Sequence, residues 1–176
     1  MNLKKLAILA LIAVLGCSMA VSVAAAGPSG PAGKSNVGHL YLYEKDPSTW
    51  QIVPGGAWGK MKYNLSGPTF QFVFNGHSLE PGEDYTLIYY PDPWPGNGLI
   101  CLGSATADAY GDVHIQADVA TGNLPIAGDT NSPGAKIWLV LSSDVLCGTS
   151  SLMVGWNPAE YLFEYQLITF TTRPRR

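Results

Sequence analysis

From His39 onward the chain alternates apolar and polar positions with a period of two, the signature of strands that bury one face. Leu40 and Leu42 alternate with Tyr41 and Tyr43. Between Trp58 and Leu65, Met61, Tyr63 and Leu65 share one face, while Lys60, Lys62 and Asn64 share the other. Phe70, Phe72 and Phe74 oppose Gln71, Val73 and Asn75. Val113, Ile115, Ala117 and Val119 oppose His114, Gln116 and Asp118. The stretch 136–142 sets Ile137, Leu139 and Leu141 against Trp138 and Val140, apolar on both sides, which predicts a central strand covered twice. Tyr161, Phe163, Tyr165 and Leu167 alternate with Leu162, Glu164 and Gln166 in the last strand. Asp84–Tyr90 and Leu99–Ala107 read as two strands joined by a loop, Pro91-Asp-Pro-Trp-Pro-Gly-Asn-Gly98, stiffened by three prolines.

Breakers separate these runs: Pro54-Gly55-Gly56, Gly67-Pro68, Asn75-Gly76, the turn at 108–111, and a long polar loop over 121–134. Asp46 before Pro47 predicts a capped turn, and Asn157 through Glu160 a second one closed by a capping box. About eight or nine strands with no helix beyond a turn or two predict an all-β domain. The expected form is an antiparallel two-sheet β-sandwich, immunoglobulin-like or jelly-roll-like, with a small barrel as the alternative.

The ends of the chain follow other rules. Lys4 and Lys5, the apolar run Leu6–Gly16 and Ala24-Ala25-Ala26 form an export signal over 1–26 with cleavage before Gly27. The same run is long enough for an uncleaved anchor, and Val14-Leu15-Gly16-Cys17 resembles a lipobox, so three fates stay open. Residues 27–38 are Gly/Pro/Ser-rich and read as a flexible linker, 38–170 as one domain, and 171–176 as a basic tail. Without Lys4 and Lys5, eight basic residues stand against thirteen acidic, which argues against a nucleic-acid partner. Membrane association is expected only through 1–26. Outside Cys17 two cysteines remain, Cys101 and Cys147, a pair expected to form one disulfide in an oxidising compartment.

Candidate chemistry is sparse. His39, His77 and His114 show no metal-binding spacing, and Asp129-Thr130-Asn131 starts like a calcium loop that Pro133 interrupts, so no metal and no cofactor are expected. No nucleophile elbow is present, and Asp92 with Glu160, Asp129 or Asp144 is the remaining acid/base option. Asn64-Leu65-Ser66 is a glycosylation sequon on the strand's polar side. The better lead is aromatic: Trp50, Trp58, Trp94, Trp138 and Trp156 stand mostly beside turns. Trp94, with Asp92 and Asn97, would form a ligand-binding loop, or a lid over the end of the core.

The stretch 56–65, Gly-Ala-Trp-Gly-Lys-Met-Lys-Tyr-Asn-Leu, together with 79–98, Leu-Glu-Pro-Gly-Glu-Asp-Tyr-Thr-Leu-Ile-Tyr-Tyr-Pro-Asp-Pro-Trp-Pro-Gly-Asn-Gly, resembles a group of uncharacterised, β-rich secreted proteins of methanogenic archaea. The resemblance runs over most of 38–170. It implies an extracytoplasmic protein and makes surface glycosylation more natural, and it brings no activity or catalytic residues. The expectation is a secreted or cell-surface, non-catalytic protein with a structural or binding role, its partner a cell-surface glycan or envelope protein. A carbohydrate-binding module built around Trp94 is the first alternative, and a metal-dependent or hydrolytic extracellular enzyme the second.

Overall fold

The computed structural model describes residues 35–131 and 134–174; the export segment and most of the linker fall outside them. Twelve strands follow in chain order: β1 (Val37–Glu44), β2 (Trp58–Asn64), β3 (Ser66–Gly67), β4 (Phe70–His77), β5 (Asp84–Tyr90), β6 (Ile100–Thr106), β7 (Val113–Val119), β8 (Lys136–Leu141), β9 (Val145–Leu146), β10 (Leu152–Met153), β11 (Leu162–Glu164) and β12 (Thr171–Thr172). Two 3-10 turns, Ser142–Asp144 and Pro158–Glu160, are the helical elements among the described residues, where no helix is long and apolar enough to cross a membrane.

Eight strands form one antiparallel sheet in the order β6-β5-β8-β11-β1-β2-β4-β7. Strand β8 pairs with both β5 and β11, and β11 pairs in turn with β1, so the sheet runs through without a break. The edge strands β6 and β7 come round to meet each other. A Cβ on Gly103 of β6 would lie 2.7 Å from Ile115 Cγ2 of β7, so glycine is what allows the edges this close. The protein is therefore all-β, as expected, with a large antiparallel sheet nearly closed into a barrel. The barrel alternative fits, and the division into two sheets is not confirmed.

The alternating residues fill the barrel. Leu40, Leu42, Met61, Phe70, Phe74, Leu87, Tyr89, Ile137 and Leu139 are fully buried in one cluster, and burying each such side chain contributes about 2–3 kcal/mol. A second cluster lies on the outer face, where Ile88, Tyr90, Leu99, Trp138, Val140 and Phe163 pack under Val145, Met153 and Tyr161 of the segment 142–161. That flap is the reason β8 is apolar on both sides, as its sequence pattern predicts. Cys101 and Cys147 pin the flap to β6 through a disulfide with a Cα–Cα distance of 5.9 Å.

Simple parity places Cys101 on one face with Leu99, Gly103 and Ala105. The structure corrects this: a bulge shifts the β5–β6 register, so that Leu87 opposes Gly103 while Ile88 opposes Cys101. Leu102, Gly103 and Ala105 stay on the barrel side, and Cys101 and Leu99 turn to the outer core. Four smaller differences are local. Leu65 is 38 % exposed because β2 ends at Asn64. The turn at Pro158–Glu160 has no side-chain cap, since the Asn157 amide donates to Asp144 Oδ2 at 2.7 Å instead. The chain past Phe170 is not loose: β12 pairs in parallel with β3, and Arg173 N–H donates to the Gly67 carbonyl at 2.8 Å. Strand β1 begins at Val37, inside the predicted linker.

Candidate ligand-binding face

The loop between β5 and β6 is held at its base. Asp92 Oδ2 accepts from Lys136 Nζ at 2.5 Å, with both side chains half-buried. Asp129 clasps the loop from the other side: its carboxylate accepts from Tyr89 O–H at 2.5 Å, from Asp92 N–H at 3.2 Å and from Asn131 N–H at 2.8 Å. Burial and the Asp129 hydrogen bond push the Tyr89 hydroxyl above its ordinary value. Met153 N–H donates to the Pro95 carbonyl at 2.9 Å, tying the loop to the flap. Gly96 (φ +82) passes so close to the Tyr90 ring that a Cβ would meet it at 2.7 Å. This fixed loop presents Trp94, 53 % exposed, and Asn97 to solvent. Asp92 is its anchor, while Trp94 and Asn97 are its free surface.

Trp94 does not stand alone. It meets Trp156 edge-on at 5.7 Å and 81°. Trp156 in turn rests on Trp138, Tyr161 and Phe163, and Trp50 lies 5.2 Å from Phe163 and 6.4 Å from Trp156. Trp156 is thus a lid over the outer core, and Trp94 leans on that lid. The two are nearly perpendicular, so they make a corner, not a flat platform. Trp50, Trp94 and Trp156 are each about half exposed and come from three separate loops onto one patch.

Trp50 is placed against its backbone's preference. Its φ is +57°, a left-handed conformation that costs a bulky side chain on the order of 1 kcal/mol or more and that asparagine or glycine adopts readily. The turn before it enforces the geometry. Asp46 Oδ1 accepts from Ser48 N–H and Thr49 N–H, both at 2.9 Å, and Trp50 N–H donates to the Asp46 carbonyl at 2.7 Å. The Ser48 hydroxyl, which also donates to Asp46 Oδ1, together with the Thr49 and Ser48 N–H groups holds the Asp46 carboxyl below its ordinary value. The capped turn was legible in the sequence; the strain on Trp50 was not.

Beside the patch lies Glu164. Burial raises its carboxyl to about 7, against the opposing pull of Lys45, the Trp138 indole N–H and Lys136. Glu164 Oε2 and Trp138 Nε1 are both buried, near one another, and neither completes a hydrogen bond of good geometry. Period-two reading put Glu164 on the polar face of the last strand. The signal it lacked was that β11 is covered on both sides, with Leu162 in the barrel and Phe163 under the flap.

The remaining candidates are dispersed. Asp144 is buried and accepts from Tyr161 O–H and Asn157. Glu160 lines a cleft of about 230 Å³ with Glu44, Glu80 and Tyr85 at one end of the barrel. Of the three carboxylates weighed as partners for Asp92, Asp129 meets its loop by accepting from the Asp92 N–H at 3.2 Å, while Asp144 and Glu160 lie in surroundings of their own. His39 is exposed on β1, His77 Nδ1 bonds Asp112 at 2.8 Å, and His114 Nδ1 bonds Asn75 at 2.7 Å. Among the described residues no three His, Cys, Asp or Glu side chains converge on a point that could hold a metal. Asn64 is half-buried: its amide donates to Ser66 and Thr69 carbonyls at 3.3 and 2.9 Å and its oxygen accepts from Gln71 N–H at 2.8 Å. A glycan on that nitrogen would displace bonds that hold the turn between β2 and β4.

No protein-family model matches this chain, and no curated protein or solved structure matches it.

Proposed function

We propose that the protein is an extracytoplasmic, non-catalytic binding module that engages an envelope component through Trp50, Trp94 and Trp156. The observation that carries this reading is Trp50. A half-exposed indole is held in a left-handed backbone that costs stability, next to two more half-exposed indoles, and the fold recovers little by exposing them. Residues held under strain cluster at sites with a function, and clustered exposed tryptophans mark recognition surfaces. The export segment, the disulfide and the resemblance to secreted proteins support the compartment.

The test is a titration of intrinsic tryptophan fluorescence with a panel of soluble glycans and solubilised envelope fractions. It compares wild type with Trp94→Ala and Trp50→Asn. We expect a ligand whose affinity falls at least tenfold in either variant. Both variants should fold, because Trp94 is largely exposed and asparagine suits the conformation at position 50. Absence of any ligand, or a ligand indifferent to both substitutions, overturns the reading.

A further inference from the structure

The strand register carries the aromatic patch across the barrel. Trp138 stands opposite Phe163, Phe163 opposite Tyr43, Tyr43 opposite Trp58, and Trp58 opposite His77. All lie on the outer face, in a row that crosses five strands and spans about 19 Å at the usual strand spacing. Trp50 and Trp156 sit on the buried end of this row, and Trp58, 37 % exposed, stacks on His77 at the other end. The next outward row reads Tyr41, Lys60, Asn75 and His114.

Lysines gather on this face, interspersed with the carboxylates of Asp92, Asp112 and Asp118. The chain is net negative, yet all four lysines among the described residues stand beside the band. Lys136 lies over the Tyr90 and Trp138 rings, and Lys45 Nζ donates to the Glu164 carbonyl at 3.1 Å. Lys60 lies over Tyr41 at 5.4 Å, and Lys62 is the next outward position on β2. From Lys62 an open groove of about 680 Å³ continues, edged by the amides of Asn64, Gln71 and Gln116 and by Asp118.

We propose that the bound component is an acidic polysaccharide, a chain of uronate sugars, lying from the tryptophan patch across the strands to Lys60, Lys62 and the groove. This rests on the binding function proposed for the patch and adds the ligand's class and path. Sugar rings have an apolar C–H face that aromatic rings cover, and hydroxyls that amide side chains bond. Carboxylates spaced along the polymer would meet Lys60 and Lys62, whereas Lys136 already has Asp92 as its counter-charge. The exposed apolar groups of the band are chiefly rings interleaved with polar side chains, unlike the aliphatic centre of a protein interface. Single-stranded nucleic acid is the competing polyanion, and the oligothymidylate gel below separates it from a polyuronate.

The test is affinity electrophoresis of the whole secreted protein. The gels contain galacturonate, glucuronate or mannuronate polymers, the same polymers after carboxyl reduction, or single-stranded oligothymidylate. We expect retardation by at least one polyuronate, weakened at least tenfold by Lys60→Gln/Lys62→Gln and by raising salt from about 50 to 500 mM. The reduced polymer should bind at least tenfold more weakly and ignore the lysine substitutions. Unchanged melting of the double variant separates lost binding from lost fold. Equal binding of the reduced polymer, tighter binding of the oligonucleotide, or a double variant that binds polyuronate like wild type overturns the inference. If the reduced polymer binds as tightly as the polyuronate and Trp94→Ala abolishes that binding, the patch stands and only the acidic ligand falls. If no polyuronate binds, the inference falls while the wider glycan and envelope panel decides the patch.

Discussion

Glu164→Gln should make the barrel more stable at alkaline pH while leaving it unchanged in acid. In the folded protein the carboxyl titrates at about 7, against 4.5 for an ordinary glutamate, with burial as the largest cause. Above about 4.5 the unfolded chain gives up this proton, and the folded chain keeps it until about 7. The native state therefore binds more protons across that window, and stability falls as pH rises through it. At 1.36 kcal/mol per unit the full difference is slightly more than about 3 kcal/mol, with the pull of Lys45 and Lys136 already counted in it; partial solvation of the carboxyl brings the expected effect to about 2 kcal/mol. Glutamine keeps the shape, carries no charge, and offers its oxygen to the Trp138 indole N–H. Urea unfolding of wild type and variant at half-unit steps from pH 4 to 8.5 measures the difference, in which other titrating groups cancel. The two should coincide near pH 4.5 and separate to about 2 kcal/mol by pH 8, with the variant above. For a domain of this size that is on the order of 4–10 °C in melting temperature. A flat difference across the range, or a variant that loses ground as pH rises, would refute the assignment of burial as the dominant influence on this carboxyl.

Two further expectations concern the frame. Replacing both Cys101 and Cys147 by alanine frees a loop whose ends are 46 residues apart and should cost about 4 kcal/mol in the chain-entropy picture, read as a lower urea midpoint; alkylation of both cysteines without reduction would show that the bridge was never there. Gly103→Ala should cost about 1–3 kcal/mol, because the new methyl meets Ile115 where the edges of the sheet approach, and a variant as stable as wild type would mean the edges are free to part.

The strands were legible because each inward position is apolar: Phe70, Phe72 and Phe74, or Val113 and Ile115, could face only one way. Strand β8 announced its double cover through Trp138 and Val140. Closure was not legible, since it depends on β8 pairing with both β5 and β11, and alternation says nothing about which strands become neighbours. The side of Cys101 was misassigned because a bulge costs parity one step and leaves no residue type behind as its mark. The site divides in the same way. Trp94 and Asn97 on a stiff loop follow from proline and glycine content, whereas the anchoring of Asp92 to Lys136 joins residues 44 apart in sequence. The strain on Trp50 and the burial of Glu164 arise only when the flap and its neighbouring turn are in place.

The short pairing of β3 with β12 has a mechanical meaning. Asn36 exchanges hydrogen bonds with Ser66 and accepts from Leu65 N–H through its carbonyl, while Thr171 N–H donates to the Leu65 carbonyl and Arg173 N–H to that of Gly67. The two ends of the described domain therefore leave it at one place, side by side on the same small turn. Tension between them would peel apart these few bonds one after another, and the eight-stranded sheet would lie outside the path of the load. Under such a pull this small turn would loosen before the face that carries the tryptophans is disturbed.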